Sequence, residues 1–407
     1  MKRLGVAMVA ATSFPANHGS PASIREMSQE LARRGHRVHV ITYAWRQNIP
    51  VEGVAIHRTR AVGRPDAIAV GPTRERPVYD LLLAREVVRV IRRERLDVIH
   101  AHNYEGALAG WCGRLFTGRP LLFNSVTNMV DELPTYDFIR PRALARGMGR
   151  FLDRVVPRLA DHVTTVTEEL RDLYLRDGLP PDRVTVIPPG VHPEWFAGRT
   201  GDRVRRELGL AGAPVVMYTG VLNRFQGLEH LLGGFQVALR EVPEARLLLM
   251  GNMVTPQQEA ELRRQAEALG IGKALLLVAD RPLEDLPDFL AAADVAVLPR
   301  ASSPGFPVKL LNSMSAGRAI VAAEGSAKAI RNGESGLVVP NGDAEALGRA
   351  VVRLLRDPAL ARRLGEAARK AVGAEYDWSA IAARVEGIYA LLLAVPPGDS
   401  GAGGPMG

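Results

Sequence analysis

The sequence predicts an α/β protein of two Rossmann-like, doubly wound parallel-sheet domains facing a cleft. Three observations predict it. The chain has 407 residues, 47% of them apolar, too many for one ordinary core and enough for two domains of about 200 residues each. Short apolar runs alternate with helix-period segments, the pattern of βαβ units and parallel sheets. That pattern restarts after a turn-rich stretch running from Pro188-Pro189-Gly190 to Gly212.

In the first half, strands are expected at Leu4–Ala11, Arg37–Tyr43, Val54–Thr59, Asp97–Ala101, Pro120–Phe123, His162–Val166 and Val184–Ile187. Helices are expected at Ser20–Arg34, Tyr79–Arg93 and Leu144–Arg158, with a small-residue helix from Gly106 to Leu115. In the second half the strands are Pro214–Thr219, Ala245–Met250, Ala274–Val278, Asp294–Leu298, Ala319–Ala322 and Gly336–Val339. Its helices are Leu228–Arg240, Pro256–Leu269, Leu283–Ala292, Val308–Ala316 and Ala344–Leu355. A last helix runs from Trp378 to Leu393, and the Gly/Pro-rich tail 395–407 is expected to be disordered. The start, Met1-Lys2-Arg3 before Leu4–Ala11, mimics a signal peptide, but the strand–loop–helix unit after it favours a first buried strand.

Composition narrows the function classes. The single cysteine, Cys112, rules out an internal disulfide and fits a reducing, cytoplasmic setting. A net charge of +8 suits phosphorylated substrates or anionic lipid, and no zinc-finger spacing or RNA-binding aromatic signature points to nucleic acid. No apolar run reaches the length of a membrane span.

Ligands in such sheets bind beyond the carboxyl ends of the strands. Six segments draw notice there. Pro15–Ser20 is a small-residue loop opening a helix, whose free N–H groups suit phosphate or sugar hydroxyls, or form a plain capped turn. Asp97–Gly106 crowds His100, His102, Asn103 and Glu105 at a strand end; His102 or Glu105 can bind a hydroxyl or move a proton, or His100 is simply buried and Asn103 a cap. Asn128–Tyr136 offers Asp131 and Glu132 to acceptor hydroxyls, or is a solvated acidic turn. Leu298-Pro299-Arg300 ends a strand, and Pro307 is placed to open a helix. On that helix Lys309, Asn312, Ser313 and Ala316 share one face, with Leu310, Leu311 and Met314 on the buried side. A helix N-terminus, a lysine and an amide facing the cleft suit a nucleotide diphosphate and a ribose hydroxyl. Gly220–Gly227 is another strand–loop–helix turn whose Arg224 can meet phosphate. In Pro141–Leu159, arginines recur nearly every four residues beside Leu144, Met148, Phe151, Leu152 and Val155. That segment lies on an anionic membrane surface or packs on its own domain.

Together these segments resemble the GT-B glycosyltransferases of family 4 over nearly the whole ordered chain. The resemblance rests on Gly19 with Arg34-Gly35-His36, Asp97 to His102, Val186–Val191, Ala316–Val321, Gly325–Pro340 and the Tyr376-Asp377-Trp378 helix. It implies an acceptor domain at 1–195, a nucleotide-sugar domain at 196–375 and a helix at 376–394 returning to the first. It implies sugar transfer from a nucleotide-sugar co-substrate, usually with retention of configuration and without a metal. Lys309, Arg224 and His102 are the expected catalytic residues. The donor is expected on Gly19, Ser20, Gly220, Asn223, Gln226, Gly227, Arg300, Gly305, Phe306, Leu310, Asn312 and Ser313. The acceptor is expected on His18, Asn103, Glu105, Asp131 and Glu132. The sequence also departs from the family. Its paired glutamates fall on Pro304 and Asn312, its loop Arg and Lys on Val221 and Gln226, and its His after the fifth strand on Val126. A non-catalytic relative and a sugar-nucleotide epimerase are therefore the competing readings.

Overall fold

The computed structural model describes residues 3–16, 19–44, 49–61, 76–135, 139, 141–252, 254–279, 281–301 and 305–394. The chain divides into two compact units, Met1–Pro189 with Trp378–Gly407, and Gly190–Asp377.

In the first unit the elements run β1 (Gly5–Ala10), α1 (Gly19–Arg33), β2 (Arg37–Thr42), β3 (Val54–Arg58), α2 (Arg76–Glu94), β4 (Val98–His102) and α3 (Asn103–Thr117). They continue with β5 (Leu121–Ser125), α4 (Met129–Glu132), α5 (Arg142–Val155), β6 (His162–Thr165), α6 (Glu168–Arg176) and β7 (Val184–Val186). The second unit holds α7 (Asp202–Glu207), β8 (Val215–Val221), α8 (Leu228–Glu241), β9 (Arg246–Asn252), α9 (Pro256–Ala268), β10 (Leu275–Ala279) and α10 (Leu286–Ala292). It closes with β11 (Val295–Leu298), α11 (Val308–Ser315), β12 (Ala319–Ala323), β13 (Leu337–Val339), α12 (Ala344–Arg356) and α13 (Pro358–Glu375); α14 (Trp378–Ala394) belongs to the first unit.

The first sheet has the order β3-β2-β1-β4-β5-β6-β7 and the second β10-β9-β8-β11-β12-β13. Every pairing is parallel. Strands covered on both faces must be apolar throughout, and all six residues of β1 are buried. In each sheet the order reverses beside the first strand, so crevices open beyond β1 and β4 and beyond β8 and β11.

One face of the first sheet packs on α2, α3 and α6 through Val87, Ile91, Tyr104 and Tyr174. The other packs on α1 and α14, where Met8, Val40, Val98 and Leu122 meet Trp378, Ile381, Val385 and Tyr389. Polar bonds fix α14 in place. Arg34 reaches Glu386 through Nε at 2.9 Å and Nη2 at 2.7 Å, His36 Nε2 lies 2.9 Å from Glu386, and Trp378 Nε1 donates to Glu26 at 2.6 Å.

Local signals set the helix ends. Thr167, Asp343 and Asp357 cap α6, α12 and α13, and Thr255 with Gln258 forms a capping box on α9. Helix α13, which the sequence reading passed over, shows only Leu364, Gly365, Ala368 and Val372 to the core. Its apolar period is too sparse to read. The expected disordered tail lies outside the described residues.

Candidate active site

In the second unit the crevice beyond β8 and β11 brings together Lys309, Tyr218, Gln226, Gly220 and Arg300. Lys309, in the first turn of α11, donates through Nζ to Tyr218 Oη at 2.7 Å and Gln226 Oε1 at 2.8 Å. Its Nζ also lies 4.4 Å from the centre of the Tyr218 ring. Gly220 holds a φ of 129°, and a Cβ there would come within 2.8 Å of Lys309 Nζ. Only glycine lets the backbone approach the ammonium so closely. Gly227, at φ 69°, brings the β8 loop onto the β11 exit, since a Cβ there would meet Pro299 O at 2.7 Å.

No carboxylate contacts the Lys309 ammonium among the described residues. Burial first, and then the charge of Arg300, lower the Lys309 pKa from 10.5 to about 7. Burial lowers the Arg300 pKa as well. Arg300 Nε and Asn223 Oδ1 are buried without a hydrogen-bond partner. Two poorly compensated cations and two orphaned polar atoms form a crevice short of negative charge and of polar partners.

The other expected donor residues sort differently. Asn312 is half-buried on the same helix, and its backbone carbonyl accepts the Ala316 N–H at 3.0 Å. Phe306 tilts against Tyr376 at 5.7 Å, and Gly305 is partly exposed beside it. Leu310 is fully buried in the core and offers nothing to a ligand. Ser313 is buried, its hydroxyl donating to Lys309 O at 3.0 Å. Pro307 is the N-cap of α11 instead of its first residue. Arg224 begins a short 3-10 turn, and its side chain lies outside the described atoms.

In the first unit, the exits of β1 and β4 meet where Ser20 Oγ donates to Asn103 Oδ1 at 3.3 Å. Gly19 and Asn103 open α1 and α3 with φ of 54° and 62°. A left-handed asparagine at a helix start is uncommon, and here its side chain links the first turns of the two helices. His100 and His102 project from one face of β4, their rings stacked at 4.5 Å. Tyr389 Oη lies 2.7 Å from His100 Nδ1, and Asn124 Nδ2 lies 3.1 Å from His102 Nδ1. Burial pushes both imidazoles down, His100 to about 3 and His102 well below its ordinary value, so both are neutral. His102 therefore lacks the exposed, titrating imidazole expected of it, although its Nε2 has no partner in this structure.

Glu105 is paired with Arg76 at 2.9 Å. Asp131 is taken up by the start of α4, where Asn128 Nδ2 donates to it at 3.0 Å. Glu132 is half-buried in that helix. His18 lies outside the described residues. The sequence reading missed a buried relay holding α4 and α5 above this end of the sheet. Asp153 accepts the N–H groups of Met129 at 2.7 Å and Val130 at 2.9 Å, and also the Tyr104 hydroxyl. Tyr104 touches Tyr174 at 2.8 Å, which touches Ser125 at 2.6 Å. An acid inside an arginine-rich amphipathic segment was the available signal.

Two parallel-sheet units, one carrying a cationic crevice at its switch point, are the architecture of GT-B sugar-transfer enzymes. The comparisons agree. The Glycosyltransferase Family 4 model matches residues 18–195, and the Glycosyl transferases group 1 model matches 202–371. The chain is 31% identical to a D-inositol 3-phosphate glycosyltransferase of Thermobispora bispora, over 91% of this chain and 89% of that one. It is 29% identical to an alpha-maltose-1-phosphate synthase of Mycolicibacterium smegmatis, covering 76% of this chain and 82% of that one. The sucrose-phosphate synthase of Thermosynechococcus elongatus shares the fold at a TM-score of 0.80 and 24% identity, covering 96% of this chain and all (100%) of that one. Anabaena HepE in complex with UDP and glucose does so at 0.74 and 16%, covering 95% and 100%. The chain belongs to the group 1 glycosyltransferases of family 4.

Proposed function

We propose that this glycosyltransferase takes a sugar from a nucleoside diphosphate donor held by the second unit and passes it, with retention, to an acceptor held by the first. One observation carries the donor assignment: Lys309 stands beside Gly220 and within the field of Arg300, with no carboxylate contacting its ammonium among the described residues. A diphosphate brings the charge the pair lacks, and the ammonium then stabilises the negative charge growing on the leaving diphosphate. Asn312 fits a ribose hydroxyl. Retention is proposed from the resemblance to family 4; the departing phosphate oxygen would then take the acceptor proton, a route that needs no protein nucleophile. The charge balance by Lys309 and Arg300 supports transfer without a metal. HepE was captured with UDP, which makes uridine the first base to test.

For the acceptor side, Asn103, Ser20 and the unpartnered His102 Nε2 are the proposed hydroxyl contacts, with Glu105 set by Arg76. Helix α5 favours a lipid-linked acceptor. Its buried stripe is Ala145, Gly149 and Asp153. Leu144, Met148 and Phe151 remain 53%, 43% and 65% exposed, flanked by the exposed Arg142, Arg146, Arg150 and Arg154. Apolar and basic stripes turned outward together suit the surface of an anionic bilayer. No helix among the described residues is long and apolar enough to cross one. The relatives' names favour a second reading, a phosphorylated small polyol or sugar.

Calorimetry against UDP-, ADP-, GDP- and TDP-sugars, with Lys309→Ala beside the wild type, tests the donor site. Binding lost in the variant supports it; equal affinity removes Lys309. Proton NMR of the product anomer tests retention, and activity surviving a chelator tests metal independence. Sedimentation with anionic vesicles separates the acceptors. Wild type should bind, and Arg146→Gln, Arg150→Gln and Arg154→Gln combined should release it about a hundredfold, at roughly 1 kcal/mol per arginine. No vesicle binding would leave the phosphorylated small acceptor.

A further inference from the structure

We propose that His39, His57 and Glu94 form a divalent-cation site of the zinc class on the edge of the first unit's sheet, apart from the sugar-transfer chemistry. The site is built from three elements. In the parallel register His39 pairs with Ala55 and Ile41 with His57, so the two histidines are diagonal neighbours on one face of β2 and β3. Their rings lie nearly parallel, 9° apart in plane with centroids at 5.2 Å. His39 Nδ1 and His57 Nε2 stand 2.9 Å apart. Glu94, the last residue of α2, brings its carboxylate over the pair, and the three ligand atoms lie within 4.8 Å of one another.

Two imidazoles and a carboxylate, with a position left for water, are a donor set that zinc accepts. Zinc–nitrogen bonds of about 2.0–2.1 Å at tetrahedral angles separate two ligand nitrogens by roughly 3.4 Å. The histidine nitrogens therefore need to part by about half an ångström, and, because they face each other head to head, each ring must also turn by roughly 35° to aim at a shared ion. The place already draws a cation: Arg93 reaches Glu94 at 2.7 Å and His57 Nδ1 at 3.3 Å. Arg93 is half exposed and is free to swing out, so the metal ion displaces a side-chain cation from a site shaped for positive charge. Edge strand β3 has no fully buried residue. A bound ion ties it to β2 and to the end of α2, which adds stability that packing alone leaves out.

The test uses the full chain without a histidine tag, stripped by chelator and titrated with zinc chloride by calorimetry, with cobalt(II) absorbance as a report of tetrahedral ligation. One equivalent should bind and raise the melting temperature by several degrees. His39→Ala and His57→Ala should each weaken binding at least about a hundredfold, and Glu94→Gln about tenfold. Arg93→Ala removes no ligand and should tighten binding, which keeps the proposal testable if a histidine variant fails to fold. Absence of zinc binding by the wild type, or unchanged affinity in the histidine variants or in Arg93→Ala, overturns it.

Discussion

Raising the pH above 7 should weaken donor binding through Lys309 alone. The free enzyme's ammonium has its pKa lowered from 10.5 to about 7, so about half of the molecules hold it neutral at pH 7. A diphosphate restores the missing counter-charge and returns the lysine to its protonated form, so binding takes up a proton. By linkage, affinity then falls about tenfold per pH unit above the free-enzyme pKa. Between pH 7.0 and 8.5 the loss is about fifteenfold, near 1.6 kcal/mol. A nucleoside diphosphate sugar is the right probe, because its diphosphate has no proton to lose in this range. Calorimetry in two buffers of different ionisation enthalpy should count about half a proton taken up at pH 7 and nearly one at pH 8.5. The same shift has a sign in stability. The unfolded lysine binds protons that the folded one releases between pH 7 and 10.5, so this group's contribution rises with pH through that window. Flat affinity with no proton uptake would refute the reasoning. So would the same pH slope in Lys309→Met.

Three further outcomes are expected. Asp153→Ala removes the acceptor of the buried Met129 N–H, of the partly buried Val130 N–H and of the Tyr104 hydroxyl, which keeps its contact with Tyr174, and should cost about 2–4 kcal/mol in denaturant unfolding. Gly227→Ala drives a methyl against Pro299 O in a left-handed backbone; it should lower stability by about 1–3 kcal/mol and weaken nucleotide binding, seen by calorimetry. Glu386→Ala takes the carboxylate from Arg34 and His36, which keep their bonds to Ser379 and to the Leu4 N–H, and should cost about 2–3 kcal/mol. Bonds from Arg34 hold the Glu386 carboxyl below its usual range, so its contribution is full near neutral pH and is lost as pH falls through that lowered value; acid titration of wild type against variant checks it.

The sheets were legible because a parallel strand buried on both faces is a continuous apolar run, as Val6–Ala10 and Val295–Leu298 show. The expected strands and most long helices match observed elements to within a few residues. Helices α6 and α13 escaped because each shows few apolar residues to its core. Arg300 and Lys309 were legible as polar residues at a strand exit and a helix start. Their setting was not. Tyr218 lies 91 residues from Lys309 and Gln226 lies 83 away, and no local pattern joins such distances. The depth of His102 was equally hidden, because strand period places it with His100 but cannot say that α14 will close over that face. Leu310 shows the opposite failing: helix period alone already sent it to the core, where it lies.

Helix α14 carries a consequence for the order of events at the ribosome. The sheet face presenting Met8, Val40, Val98 and Leu122 is finished by Trp378, Ile381, Val385 and Tyr389, and the whole of Gly190–Asp377 is translated in between. The later-made unit has its own continuous chain and is able to mature first, while the earlier-made one waits with an oily flank uncovered. A nascent chain halted before residue 378 should therefore be a strong client for holdase chaperones, and should let go of them as the last helix emerges.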